Sequence, residues 1–236
     1  MGQTGQGSVG IGRVLASRSA ARSSSAKFRI ALAELDSGAG YLSYLVNEAN
    51  SAQTYFYFDL VYLPVPSGTI RTSDNAATEP PRLFLPRIDD FLRPLPRQLA
   101  VDMVCILTRC LIGGFRLDGT IFGNHFCAAL TNEPKVFAVS TYQMRGYADK
   151  AGVSFLKSIL FLCIGMILVG QTRLDFHDDT VGCPLDRCER SRDEIVEGLK
   201  RMRFDHEPCR REIDADMRDA IDSLLSLPLS GHHKTI

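Results

Sequence analysis

The sequence predicts an α/β (α+β) fold, a mixed sheet backed by helices, followed by a C-terminal segment tied together by cysteine and histidine. Three observations predict it. Short apolar runs rich in β-branched and aromatic residues dominate the chain as far as Ser140. Segments with helical spacing dominate the C-terminal half, and strands early with helices late suit a sheet backed by helices. Three of the 7 cysteines gather with a histidine among charged residues near the C-terminus.

Residues 28–35 (FRIALAEL) read as a first strand, and residues 41–50 carry Leu42, Leu45, Val46 and Ala49 at helical spacing. Residues 55–63 (YFYFDLVYL) are aromatic and β-branched, a second strand. Residues 64–86, with several prolines, Gly68, Ser73 and Asn75, predict a loop. A short helix over 89–99 is interrupted by Pro94 and Pro96. Residues 101–108 (VDMVCILT) form a continuous apolar run, the pattern of a central buried strand. Two further strands are expected at 120–127 and 136–140, then one long helix or two over 145–170. Residues 193–203 (DEIVEGLKRMR) set Ile195, Leu199 and Met202 on one side of an amphipathic helix. Ser191 or Asp193 could cap it, Ser191 with Glu194 making a capping-box pattern. A final helix is expected over 213–225.

Composition bounds the organisation. In a chain of 236 residues, 45% hydrophobic, one domain is expected over residues 27–226, with a metal-binding part at 177–212. Flexible tails are expected at 1–26 and 227–236. The first, rich in Gly, Ser and Arg and without an acid before Glu34, has too little apolar content to fold. The longest apolar run, residues 158–170 (SILFLCIGMILVG), is about 13 residues, short of the roughly 20 that cross a bilayer, so a buried core helix and no membrane span are expected. Zero net charge gives no global field to attract nucleic acid or an anionic membrane. Cys105, Cys110, Cys127 and Cys163 lie in apolar runs and read as small buried hydrophobes. A secreted disulfide framework would be denser in a shorter chain, so a reducing cytoplasm is expected.

Cys183, Cys188, His206 and Cys209 form C-x4-C-x17-H-x2-C. Thiolate and imidazole are the donors of tetrahedral structural zinc, and four protein donors leave no position for a reactive water. Pro184 discourages a helix between the first pair, and the amphipathic helix can bring the second pair back to it. One structural Zn2+ is therefore expected on these four residues, with unligated surface groups as the alternative. His177, before Asp178 and Asp179, could be a metal ligand or a general base and is a weak catalytic candidate; the bland reading is a loop histidine at a helix end. His125, in an apolar run, reads as a satisfied core histidine, and His232 and His233 belong to the tail.

The order VDMVCILT, IFG (residues 121–123), FAVST (137–141), a long helix and a Cys-rich end resembles the archaemetzincin-like zinc peptidases, over roughly residues 100–210. The resemblance implies a metzincin-like fold. It aligns Cys183 and Cys188 with two cysteines of the family's structural zinc site, and His206 and Cys209 with its C-x2-C pair. The family's H-E-x-x-H motif is absent. Counted back from Cys183 without gaps, its three histidine positions hold Thr172, Phe176 and Gly182, and its glutamate position holds Arg173. None of these can ligate a catalytic zinc or take a proton from its water.

The expectation is a non-catalytic zinc-binding protein, a pseudo-peptidase acting by binding a protein or peptide partner. The alternative is a metal-dependent hydrolase or peptidase built on His177, Asp178, Asp179 and Asp175. A third reading is a nucleic-acid-binding zinc module using Arg187, Arg190, Arg192, Lys200, Arg201, Arg203, Arg210 and Arg211. The acids interleaved with them and the lack of an aromatic row disfavour it.

Overall fold

The computed structural model describes residues 26–35, 41–64, 70–71, 81–115, 121–131, 135–186 and 192–229. The main sheet has five strands: β1 (Phe28–Glu34), β2 (Phe56–Tyr62), β5 (Met103–Thr108), β8 (Cys127–Thr131) and β9 (Lys135–Ser140), in the order β2-β1-β5-β9-β8. Every pairing is parallel except β8 with β9, which is antiparallel. The sheet is mixed, as the sequence predicts. A smaller sheet comprises β3 (Ile70–Arg71), β4 (Arg82–Phe84), β6 (Leu111–Phe115) and β7 (Ile121–His125), in the order β3-β4-β6-β7.

Because strand side chains alternate between faces, the central strands divide between two cores. Ile30, Leu32, Met103, Cys105, Leu107, Phe137 and Val139 face the larger one. Helices α1 (Tyr41–Ala52) and α5 (Phe155–Gln171) cover that face, and α8 (Ala215–Ser226) packs on both helices. Ala31, Ala33, Val104, Ile106, Val136 and Ala138 face the other, with Leu83 of β4, Ile112 of β6, Leu85 of a 3-10 turn (Leu85–Arg87), Ile88, and Leu92 and Leu95 of the short helices α2 (Asp89–Leu92) and α3 (Leu95–Leu99). β5 is buried along its whole length, which explains its continuous apolar run.

The structure corrects one expectation and decides another. The loop at 64–86 contains β3 and β4, which are too short to show periodicity. Of the one long helix or two expected over 145–170 there are two, α4 (Met144–Ala151) and α5, bent by 106°. Gly152 ends α4 at φ +70°, and the Ser154 hydroxyl then caps α5 by accepting from the Lys157 amide. Helix α6 (Arg192–Arg201) is followed by a further helix, α7 (Glu207–Arg211). α6 carries Asp193 in its first turn, while Ser191 lies outside the described residues.

α5 is the apolar run of the sequence, buried along most of its 17 residues against the sheet, α1 and α8. Among the described residues no single helix is long and apolar enough to cross a membrane. Leu227 and Leu229 are buried, so packed chain runs past the expected boundary at 226. The rest of the expected tails, with His232 and His233, lies outside the described residues. His125 ends β7, but its side chain is not among those described.

Candidate metal centre

The chain leaves α5 at Thr172 and returns along a tight turn. The His177 amide donates to the Leu185 carbonyl at 3.0 Å, and His177 and Asp186 form an isolated parallel bridge. Within the turn the Asp186 amide donates to the Cys183 carbonyl at 3.0 Å, and the Gly182 amide donates to Asp186 Oδ2 at 2.6 Å. Gly182 has φ +92°, a conformation L residues avoid, and a Cβ there would run into Arg201. The Arg203 amide donates to the Gly182 carbonyl at 2.9 Å, stitching the end of α6 onto the turn.

The second half of the site is α7. His206 precedes its first turn, Pro208 lies in that turn, where its missing N–H costs nothing, and the Arg210 amide donates to the His206 carbonyl. Spacing of three places the His206 and Cys209 side chains together, with Nδ1 3.1 Å from Sγ. The Arg210 guanidinium holds the helix down through a bidentate pair with Asp222 at 3.0 Å and through the Phe204 carbonyl.

These elements bring His177, Cys183, His206 and Cys209 together, with one donor atom from each lying within 4.8 Å of the others. Among the described residues it is the one such group of His, Cys, Asp and Glu donors. Three of the four residues expected from the sequence are in it. Cys188 lies outside the described residues. His177 enters the cluster although its neighbours in sequence are carboxylates. Asp175, Asp178 and Asp179 are exposed and not part of the group. The local sequence offers His177 as a metal ligand or a general base; the turn that aligns it with Asp186 sets it beside the thiols.

The electrostatics fit a cation. Cys183 is buried, and burial pushes its thiol well above the ordinary range; burial raises the Cys209 thiol as well. Burial likewise raises the Asp186 carboxyl, while the amides of Gly182 and Val181, the charge of His177 and the Cys183 amide pull it down. Both ring nitrogens of His177 are buried without a hydrogen-bond partner among the described residues, and its ring centroid lies 4.4 Å from that of His206. Two buried thiolates are costly unless a cation joins them, and two adjacent imidazoles can offer such a cation neutral lone pairs. No two of the six described cysteines are bonded to each other. Cys105, Cys110 and Cys163 are buried as expected, and Cys127 is half-buried.

The positions that correspond without gaps to a peptidase's catalytic residues do not lie on a helix. α5 ends at Gln171; Thr172 is its C-cap with extended backbone, Arg173 is exposed, and Gly182 is the strained point of the turn. The basic residues near the site are largely engaged. Lys200 pairs with Glu197, Arg203 with Asp205, Arg211 with Glu207, and Arg201 donates to the Thr180 carbonyl. Arg187 and Arg190 lie outside the described residues, as does the side chain of Arg192.

No family model matches the chain, and no curated protein matches it. Two solved structures resemble it. Archaemetzincin from Methanopyrus kandleri superposes with a TM-score of 0.50 at 16% identity, over 78% of this chain and 94% of that one. A zinc-dependent peptidase from Methanocorpusculum labreanum has a TM-score of 0.48 at 16% identity, over 78% and 100%. At this identity the first likeness shows the fold: the chain has a distant archaemetzincin-like architecture.

Proposed function

We propose that the protein is a non-catalytic zinc-binding protein on an archaemetzincin-like scaffold, a pseudo-peptidase that acts by binding a protein or peptide partner in the cytoplasm. One observation carries the metal part: four donors of the types zinc prefers converge from three places in the chain. Cys183, His206 and Cys209 hold the ion in this reading, and a fourth donor, Cys188 or His177, closes the tetrahedron. Bonds of about 2.0–2.3 Å set tetrahedral donors less than about 4 Å apart, so the group needs only a small contraction to accept zinc.

A closed site has no position for the water a hydrolase activates. The sequence offers no H-E-x-x-H motif in compensation. The role left for the ion is to hold the segment from His177 to Cys209 against the core, because metal-binding free energy becomes folding free energy. Partner binding is then the activity that suits a scaffold without the peptidase's motif. The hydrolase alternative would need Asp175, Asp178 or Asp179 turned inward, and their exposure weighs against it. The ion pairs around α6 and α7 weigh against the nucleic-acid reading, since paired cations have little left for phosphates.

The test is metal content and cleavage together. The full chain purified without added metal should carry about one zinc. Cys183→Ser and Cys209→Ser should lose it, and no peptidase activity sensitive to a chelator should appear. Two zinc ions per chain, or cleavage abolished by the chelator, would defeat the reading.

A further inference from the structure

We infer that His177 is the fourth zinc ligand, coordinating through Nδ1, and that Asp186 is the positioning residue that receives its Nε2–H. This rests on the zinc reading proposed for the protein. It departs from the sulfur-rich set of Cys183, Cys188, His206 and Cys209, because it gives the ion two sulfurs and two nitrogens.

Three observations converge. First, His177 contributes a donor to the group within 4.8 Å. Its two ring nitrogens are buried with no hydrogen bond among the described residues, a costly state for an imidazole with no further role. Second, Nε2 faces Asp186 Oδ1 at 3.7 Å, too long for a hydrogen bond but within reach of a small ring rotation. That leaves Nδ1 for the ion. A metal-bound histidine usually gives its other N–H to a carboxylate, which fixes ring and tautomer. Asp186 is already held in place by the Gly182 amide on its other oxygen, and the His177–Asp186 bridge fixes the two backbones side by side.

Third, charge decides between the candidates for the fourth place. The Asp186 side chain is 1% exposed. Zinc with two thiolates is neutral, so the site plus Asp186 carries a single buried negative charge, shared through the His177 ring. A third thiolate would add a second negative charge in the same buried volume, which low dielectric penalises heavily. The neutral imidazole completes the shell without that cost.

The test uses the full-length zinc-loaded protein. X-ray absorption at the zinc edge should count two sulfurs and two nitrogens. With 15N-histidine labelling, His177 should show a protonated Nε2 and a metal-shifted Nδ1. By competition with a chelating dye, His177→Ala should weaken zinc binding by at least about a hundredfold. Asp186→Asn should weaken it by about ten- to a hundredfold and change the His177 15N pattern while the other three ligands stay bound. Cys188→Ser should leave both affinity and sulfur count unchanged. Three sulfurs at the ion, or loss of zinc in Cys188→Ser with His177→Ala unaffected, overturns the inference and leaves the zinc reading standing. A wild-type chain that binds no zinc overturns both. The absorption count on wild-type protein decides the ligand set even if a variant fails to fold.

Discussion

The carbonyl of Pro184 rests directly on Gly165. A Cβ added at Gly165 would fall well inside van der Waals distance of that oxygen and close to the carbonyl carbon. Helix α5 therefore meets the backbone of the metal turn at a position where a side chain is missing. The core helix and the candidate metal centre are coupled through this contact, since Cys183 and Leu185, on either side of Pro184, are buried in the same core as α5.

Gly165→Ala should lift the turn off α5. We expect a loss of about 1–3 kcal/mol in stability, the usual cost of overpacking, with weaker zinc retention. Ala is otherwise the better helix former, so an unchanged or raised melting temperature with full zinc would show that the contact is not tight.

Gly182→Ala meets both an unfavourable φ and the backbone and Cβ of Arg201. The expected cost is about 1–3 kcal/mol. The effect should be local: amide exchange at Arg203, whose N–H bonds the Gly182 carbonyl, should rise more than exchange in β5 or β9.

Asp214 caps α8 by accepting from the Met217 amide at 2.8 Å, and also accepts from Lys27 and Tyr55. The Met217 amide first, and then Lys27, holds its carboxyl below the usual range. A depressed folded pKa contributes stability that is present above the unfolded value near about 4 and is lost as pH falls through the lower folded value. Asp214→Ala should cost about 1 kcal/mol at neutral pH. Its difference from wild type should shrink below about pH 4; denaturant melts at pH 7 and pH 3 would reveal a pH-independent difference if the cap does not titrate.

Removing zinc should loosen residues 177–212 while the sheet survives. β1, β5 and β9 draw on two buried cores and do not depend on the metal turn for pairing. Hydrogen exchange with and without a chelator should show protection lost at His177, Arg203 and Arg210, whose amides bond within the site. Uniform loss across the sheet would mean the ion supports the whole fold.

Much of the architecture was readable because burial dictated composition. β5 and β9 are apolar almost without interruption, being covered on both faces, and α5 is apolar all round for the same reason. β6 and β8 were not read as strands: LIGGF has two glycines and CAALT small residues, so neither shows β-branched alternation. α7 has five residues with a proline among them, too short for any period. The break between α4 and α5 carried a local signal, Gly152 followed by Ser154, a C-terminal and an N-terminal cap in succession. Cys183, His206 and Cys209 announced themselves by residue type. His177 was legible as a candidate ligand or base but not its partners, because Asp186 across a turn and His206 from another element come near it only in the folded chain.

The zinc-to-chain ratio of the full-length protein, measured alongside peptide cleavage with and without chelator, tests the central claim most directly. About one tightly held zinc and no chelator-sensitive cleavage are predicted. A metal-free chain, a second zinc, or cleavage abolished by the chelator would contradict the claim.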